Sequence, residues 1–430
     1  MKRLLVLSIM LLGFASLASA QTGTWSGKLA VQGIELSIVF HLEEENPTAD
    51  SPDQGVRGIP IQVERKETGG IVIRIPSLGA SFEGQWLVKQ IVGTFKQLGA
   101  SFPLTLTPGE PKLNRPQTPQ GPFPYAQEEV SFTNGDAVLQ GTLVLPEGYT
   151  RKTPVLIMVT GSGQENRDEE IFEHKPFAVI ADALGRAGIA TLRYDDRGVG
   201  GSTGDVVNST TEDFKNDALA GIRLLRERFD KVGVIGHSEG GTIALMLAAE
   251  GQADFIVSLA GMSVSGRETL LWQCRLGIEQ AGIPEETVDK YCKILDEAFD
   301  VRVHGGRMPQ VDEMDLPAVL KDNYLTVLTL IQSPWMKYFL SIDMRPLLGR
   351  ITCPVLALNG TLDMQVEHES NLGALRAGLP ANPKTRIEAL EGLNHLFQHC
   401  KTGLSSEYRS IEETFAPEAL ELMVQWLEAL

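Results

Sequence analysis

In residues 232–241 a short apolar run ends in Gly-x-Ser-x-Gly and continues into a helical pattern. Glycine on both sides permits a tight turn, because a side chain at either position would collide with neighbouring backbone. Ser238 would then be exposed at the edge of a sheet. With 43 glycines in the chain the pattern alone is weak, but a predicted strand before it and a predicted helix after it make it specific. The motif predicts a nucleophilic serine.

The chain around this motif alternates strand-like and helical stretches. The strand-like runs are residues 154–159, 189–194, 231–235, 255–259, 354–358 and 385–389, and the helical stretches are residues 177–187, 211–228, 242–249, 370–379 and 417–430. A hairpin over residues 128–145, turning at Asn134-Gly135, precedes them. Continuous Val/Ile/Leu strands separated by helices indicate a mostly parallel sheet with helices on both faces. We therefore predict an α/β-hydrolase fold over residues 128–430.

One crossover of this predicted fold is unusually long. About 90 residues separate Gly261 from Pro354, where a crossover needs about a dozen. Their pattern is largely helical, so we predict a helical cap insertion at about 262–345. The apolar side chains Trp272, Trp335, Met336, Tyr338 and Phe339 are candidates for an acyl or alcohol pocket, although such spacing is also typical of an ordinary helical core.

A nucleophilic serine needs a base, and in this fold the chain order is Ser, then acid, then His. Asp363 follows the strand and turn of residues 354–363, and His395 lies in the loop after the last strand. His368 comes too early and His399 one helical turn late. We assign Ser238 as nucleophile, His395 as general base and then acid, and Asp363 as the group that orients the imidazolium.

Each assignment has a plainer alternative. Asp363 could be a turn residue and His395 an ordinary loop histidine. His395 and His399 have the i, i+4 spacing of metal ligands, but the Glu of a His-Glu-x-x-His motif is missing. We expect neither a metal nor a cofactor.

The tetrahedral intermediate needs backbone donors. We predict the N–H of Glu239 and, after the strand of residues 154–159, the N–H of Ser162, with Gly163 as second choice. An ordinary Gly-rich turn is the alternative, and a phosphate-binding P-loop is excluded because no Gly-Lys-Ser/Thr follows.

A second glycine-rich loop, residues 193–202, carries paired charges. We predict that Asp196 and Arg197 brace the oxyanion loop through Asn166, Arg167 or Asp168. Substrate contact is the alternative.

The N-terminal part divides into three segments. Residues 1–20 have the basic start, apolar run and small-residue end of a signal peptide, with cleavage after Ala20, so we expect a secreted or periplasmic protein. The apolar run is too short for a membrane anchor. Residues 21–107 alternate apolar and polar residues, which predicts a small all-β domain, and the Pro-rich residues 108–127 predict a stiff linker.

The net charge limits the classes of macromolecule that this protein is expected to bind. Lys and Arg number 38 against 55 Asp and Glu, a net charge of −17, which disfavours binding to nucleic acid and to anionic membranes.

Four cysteines permit three patterns of disulfide pairing. We favour Cys274 with Cys292 and Cys353 with Cys400, against the alternative of unpaired thiols.

Five motifs together resemble a known group, the secreted bacterial α/β-hydrolase esterases related to the prolyl oligopeptidase and dienelactone hydrolase branch. The resemblance covers about residues 128–430 and rests on residues 161–169, 193–200, 236–241, 359–363 and 393–398. It implies a Ser-His-Asp carboxylesterase that acts on short acyl esters. Thr160-Gly161 stands where many lipases have His-Gly, so the resemblance supports the second oxyanion donor less directly than it supports the triad.

The sequence therefore predicts a serine carboxylester hydrolase with a small-molecule ester as substrate. One alternative is a serine peptidase or aminoacyl hydrolase like prolyl oligopeptidase. Another is a catalytically silent glycan-binding protein on a hydrolase scaffold, and the β domain could also direct an active enzyme to an acetylated glycan.

Overall fold

The computed structural model describes residues 22–31, 34–43, 45–52, 56–97, 99–110 and 113–430. The predicted signal peptide and its cleavage point lie outside these residues. The chain divides into two compact units, one ending at Asn114 and one from Arg115 to Leu430. No helix within the described ranges is long and apolar enough to cross a membrane.

The N-terminal unit is an antiparallel sheet of nine strands in the order β4-β3-β2-β1-β9-β8-β7-β6-β5. The strands are β1 (Thr24–Val31), β2 (Ile34–His41), β3 (Thr48–Ser51), β4 (Val56–Pro60), β5 (Gln62–Arg65), β6 (Gly70–Ile75), β7 (Ala80–Trp86), β8 (Ile91–Gln97) and β9 (Ala100–Pro108). Phe40, Ile73 and Phe82 are fully buried in its core. The period-two pattern of the sequence thus corresponds to strands with one buried face.

The second unit is built on an eight-stranded sheet in the order β10-β11-β13-β12-β14-β15-β16-β17. Its strands are β10 (Tyr125–Asn134), β11 (Ala137–Pro146), β12 (Val155–Val159), β13 (Ala190–Tyr194), β14 (Val232–His237), β15 (Ile256–Leu259), β16 (Val355–Gly360) and β17 (Arg386–Leu390). The hairpin β10-β11 is antiparallel to β13, and the remaining neighbours pair in parallel. Each of the six predicted core strands is present, with ends within two residues of prediction.

Ten helices of four residues or more accompany this sheet among the described residues. They are α1 (Pro176–Arg186), α2 (Thr211–Arg226), α3 (Glu239–Ala249), α4 (Gly266–Gln280), α5 (Glu285–His304), α6 (Ala318–Leu330), α7 (Pro334–Ser341), α8 (Arg345–Leu348), α9 (His368–Gly378) and α10 (Pro417–Glu428). Helices α2, α3 and α9 pack with Ile157 on one face, and α1 and α10 pack with Leu156 on the other. Successive side chains of a strand point to opposite faces, so a continuous apolar strand fills both cores.

Helices α4 to α8 all fall between β15 and β16, where the cap insertion was predicted. We call residues 266–348 the helical insertion. It has a core of its own, in which Tyr291, Phe299 and Tyr324 are fully buried. Residues of α4 and of the end of α7 line the cavity described below.

The predicted linker is held by side-chain hydrogen bonds within the second unit. Strand β9 ends at Pro108 and β10 begins at Tyr125. Between them, Arg115 donates to the carbonyl oxygens of Phe172 and Ile411, at 2.9 and 2.8 Å. This part of the segment is therefore anchored to the hydrolase unit.

Candidate active site

Ser238 occupies the tight turn between β14 and α3. Its backbone has φ 52° and ψ −116°, a conformation that residues other than glycine rarely adopt. A Cβ at Gly240 would overlap the carbonyl oxygen of Val159, and a Cβ at Gly236 would overlap the carbonyl oxygen of Gly240. The two glycines of the motif are therefore required by close backbone approach, and they hold the serine in its strained turn.

Asp363 and His395 meet at the ends of neighbouring strands. Asp363 Oδ2 lies 2.8 Å from His395 Nδ1, and both residues are 3% exposed. The other carboxylate oxygen of Asp363 accepts from the backbone N–H groups of Gln365 and Val366, at 2.7 and 2.9 Å. Three hydrogen bonds thus fix the carboxylate, which in turn orients the imidazole and leaves its Nε2 for another partner.

Ser238 and His395 both line one cavity of about 290 Å³. Within the described part of the chain, no direct hydrogen bond joins their side chains. Such bonds are often long before substrate binds. The cavity walls come from the strand ends, from α4, from the end of α7 and from the segment after β17. They include Thr269 and Gln273 of α4, Phe339 and Ile342 at the end of α7, and Tyr408 of the segment after β17.

The two predicted oxyanion donors line the same cavity. Glu239 is the first residue of α3, where backbone N–H groups lack helical partners. The N–H groups of Glu239 and Ser162 make no hydrogen bond in the described structure, whereas the N–H of Gly161 donates to Glu169 Oε1 at 2.8 Å. Gly163, the second choice, does not line the cavity. The oxyanion assignment stays a prediction.

An ion pair next to Ser238 was missed from the sequence. His237 Nδ1 lies 2.9 Å from Glu169 Oε1, and His237 Nε2 lies 2.8 Å from the carbonyl oxygen of His395. Burial lowers the pKa of His237, but the charge and hydrogen bond of Glu169 and the His395 carbonyl outweigh it and raise the pKa to about 9. The available signal was a histidine directly before Ser238, but its acidic partner lies 68 positions away in the sequence.

The side chain of Glu239 is a second buried carboxyl group. Its Oε1 accepts from Thr211 Oγ1 at 2.6 Å and from Trp335 Nε1 at 2.9 Å, while Oε2 is buried without a hydrogen-bond partner. Burial raises its pKa, with these neutral donors opposing. This carboxyl group connects the residue after Ser238 to α2 and to the helical insertion.

The predicted aromatic pocket of the insertion was mostly wrong. Phe339 lines the catalytic cavity, but Trp335 donates to Glu239 and Tyr338 donates to Glu212 at 2.8 Å. Met336 packs against the insertion's own core, and Trp272 lines a separate cleft. Helical spacing identifies apolar positions but does not say which neighbour each one faces.

Glu165 also lines the cavity and was not anticipated. Burial and the charge of Glu169 raise its pKa to about 7, with His237 opposing. No Lys or Arg pairs with its carboxylate among the described residues.

The charged loop after β13 contacts the loop after β12, but Asp196 has partners other than the predicted Asn166, Arg167 and Asp168. Asp196 accepts from Thr160 Oγ1 at 2.7 Å and from the N–H of Glu165 at 3.0 Å. Its neighbour Asp195, not Asp196, binds Arg167. The prediction for Arg197 was wrong, because this guanidinium pairs with Asp217 on α2 at 2.6 Å. Sequence showed charges suited to pairing, but successive residues leave the strand in different directions.

All four cysteines, Cys274, Cys292, Cys353 and Cys400, are unpaired thiols in the structure. The favoured pairings are therefore absent and the alternative is the one observed. Burial raises the pKa of Cys274 and of Cys353 to about 11, which keeps both as neutral thiols.

Sheet order, the serine turn and the Asp363–His395 pair define the second unit as an α/β-hydrolase. The model of the family "X-Pro dipeptidyl-peptidase (S15 family)" matches residues 134–387. The chain belongs to this family.

A curated relative adds a second resemblance. The chain is 27% identical to the esterase EstD of Thermotoga maritima over 279 residues, which cover 64% of this chain. The match spans 61% of the length of EstD.

Several solved structures resemble the chain at low sequence identity. The Pyrococcus furiosus esterase Pf2001 is 17% identical, covers 75% of this chain and 98% of its own, and has a TM-score of 0.46. The proline iminopeptidase of Mycobacterium smegmatis is 16% identical, with coverages of 70% and 98% and a TM-score of 0.44. Est1E of Butyrivibrio proteoclasticus, bound to ferulic acid, is 18% identical, with coverages of 69% and 99% and a TM-score of 0.42.

Proposed function

We propose that this protein is a serine carboxylester hydrolase that acts on short-chain acyl esters. The observation that carries the proposal is that Ser238 and His395 line one cavity, with Asp363 2.8 Å from the imidazole of His395. Ser238 Oγ attacks the ester carbonyl while His395 Nε2 takes its proton. The same imidazolium then protonates the leaving alcohol, and an acyl-enzyme forms.

The second half of the reaction releases the acid. Water enters after the alcohol leaves, gives a proton to His395 and attacks the acyl-enzyme; the bond to Ser238 Oγ then breaks, and His395 returns the proton to Oγ as the acid leaves. The N–H groups of Ser162 and Glu239 would stabilise the oxyanion in both halves. One such donor is worth about 3–4 kcal/mol of transition-state stabilisation.

The preference for short acyl chains rests on the size of the site. A cavity of about 290 Å³ is at the lower end of ligand pockets, which are about 300–1,000 Å³. To test this, kcat/KM would be measured for nitrophenyl acetate, butyrate, octanoate and laurate. We expect a maximum at acetate or butyrate and a fall of at least tenfold by octanoate. A maximum at laurate would contradict the short-chain proposal while leaving the ester chemistry intact.

Hydrolysis of aminoacyl or X-Pro amides is the second candidate, and the acidic lining of the cavity favours it. Glu165 and Glu239 pair with no Lys or Arg among the described residues, and His237 is the one basic side chain near Glu165 in a lining that also holds Glu169. A substrate ammonium group would be attracted by these carboxyl groups. Gly-Pro nitroanilide would be compared with its N-acetyl form and with nitrophenyl acetate. Amide rates within tenfold of the ester rate, lost on N-acetylation and in Glu165→Gln, would make the peptidase the better description.

We also propose that the protein is exported and that its β unit directs it to an acetylated glycan. The support is the signal-peptide pattern of residues 1–20 and the all-β unit that follows. Cell fractionation with N-terminal mass spectrometry should find a mature chain beginning at Gln21. Pull-down of the protein on acetylated and on deacetylated polysaccharide tests binding to the glycan. Failure to bind either polysaccharide would contradict this part of the proposal.

A further inference from the structure

Glu169 and His237 link three backbone segments that meet at the proposed site. Glu169 Oε1 accepts from the N–H of Gly161, in the loop after β12, and from His237 Nδ1, at the end of β14. The other ring nitrogen of His237 donates to the carbonyl oxygen of His395, in the loop after β17. One buried carboxylate and one imidazole ring therefore connect three segments: the loop after β12 at Gly161, the turn that holds Ser238, and the loop after β17 that holds His395.

The partners of His237 determine its protonation state. The ring nitrogens face the Glu169 carboxylate and the His395 carbonyl, two groups that accept hydrogen bonds, and these contacts favour a hydrogen on each nitrogen. The ring is then an imidazolium. The buried His174 provides a contrast, because its partners are Thr414 Oγ1 and the carbonyl oxygen of Tyr408, with no carboxylate. Burial lowers the pKa of His174 to about 4, whereas the pKa of His237 rises to about 9.

We propose that the Glu169–His237 ion pair is a positioning device for catalysis, with His237 permanently charged while the enzyme works. The proposal rests on the function proposed above for Ser238 and His395. It assigns neither residue to the reacting atoms. Their role is to fix the relative positions of the Gly161 backbone, the Ser238 turn and the His395 loop, with the precision that transition-state stabilisation requires.

Deprotonation of His237 would break this link. A neutral ring has one N–H and one lone pair, so either the Glu169 carboxylate or the His395 carbonyl would face a lone pair. The ionisable groups around the ring are Glu165, Glu169 and Asp363, whose charges favour the imidazolium, and His395, whose ring centroid is 4.7 Å away. The folded pKa lies above the ordinary value of 6.5, so the stabilisation is complete below about pH 6.5 and is lost as the pH rises through about 9.

The first test is the pH profile of kcat for nitrophenyl acetate. We expect wild-type kcat to fall above about pH 9. Glu169→Gln should lower kcat at least tenfold at pH 7.5, keep KM within twofold and move the alkaline fall down by more than one pH unit. His237→Gln should lower kcat and abolish that fall. His399→Gln is the matched control, because carboxylates also raise the pKa of this exposed histidine, and it should keep the wild-type profile.

The second test does not depend on turnover. Nitrogen-15 NMR of histidine-labelled wild-type protein should show a ring with both nitrogens protonated up to about pH 9. That signal should be absent in His237→Gln and present in His399→Gln. A neutral His237 ring at pH 7.5, or an alkaline fall unchanged in Glu169→Gln, would overturn the proposal. An inactive wild type with a charged His237 would instead count against the proposed function.

Discussion

Trp335, in the helical insertion, donates its indole N–H to the carboxyl group of Glu239, the residue after Ser238, over 2.9 Å. This hydrogen bond is a direct link between the insertion and the serine turn. It satisfies one oxygen of a buried carboxyl group whose other oxygen has no partner.

Removing this donor should destabilise the protein. Trp335→Phe keeps an aromatic ring but leaves Glu239 Oε1 with only the Thr211 hydroxyl, so the free energy of unfolding should fall by about 1–3 kcal/mol. Urea denaturation followed by fluorescence measures the change. Trp272→Phe is the control, since its indole N–H has no hydrogen-bond partner in the described structure, and its cost should be smaller. Equal costs would argue against a special role for the Trp335–Glu239 bond.

Asp363→Asn should retain the fold and lose most of the activity. The amide cannot hold His395 as the carboxylate does, and the corresponding change in a serine protease lowers kcat about 10⁴-fold. Steady-state kinetics with nitrophenyl butyrate checks this. The exposed Asp343→Asn should stay within twofold of wild type. A loss of less than tenfold in Asp363→Asn would show that this carboxylate is not the orienting group.

Gly240→Ala should prevent assembly of the serine turn. Its methyl group would overlap the Val159 carbonyl oxygen, so we expect a loss of about 3 kcal/mol or more, as for severe overpacking. Gly277→Ala is the contrast, because its position on α4 is open and exposed, and alanine there should stabilise by about 0.5–1 kcal/mol. Thermal melts of both variants would decide, and a tolerated Gly240→Ala would refute the close-approach explanation.

Asp196 should make stability depend on pH. Burial raises its pKa to about 8 from 3.8, with the hydrogen bonds from Thr160 and Glu165 opposing. The folded state therefore holds a proton that the unfolded state releases, so this group lowers the free energy of unfolding as the pH rises from about 3.8 to about 8. Asp196→Asn removes this dependence, and its stability relative to wild type should improve between pH 5 and pH 8. The exposed Asp230→Asn should show no such trend, and a parallel trend in both variants would contradict the assignment.

The sheet strands and the serine turn were predictable because their signals are local. Apolar runs of five or six residues and two glycines around Ser238 require no knowledge of distant contacts. Asp363 and His395 were reachable through chain order, since each lies just after a strand. The Glu169–His237 pair and the Trp335–Glu239 bond were not, because they join residues 68 and 96 positions apart with no periodicity between them. The contacts of Arg197 with Asp217 and of Tyr338 with Glu212 were missed for the same reason.

Labelling with a fluorophosphonate tests whether Ser238 is the nucleophile of a serine hydrolase. The reagent should inactivate the wild-type protein, with one adduct per chain on the peptide that contains Ser238. Ser238→Ala should take no label and should not hydrolyse nitrophenyl acetate, while keeping the wild-type melting profile. A folded Ser238→Ala variant that is still labelled, or that still turns over the ester, would contradict the account.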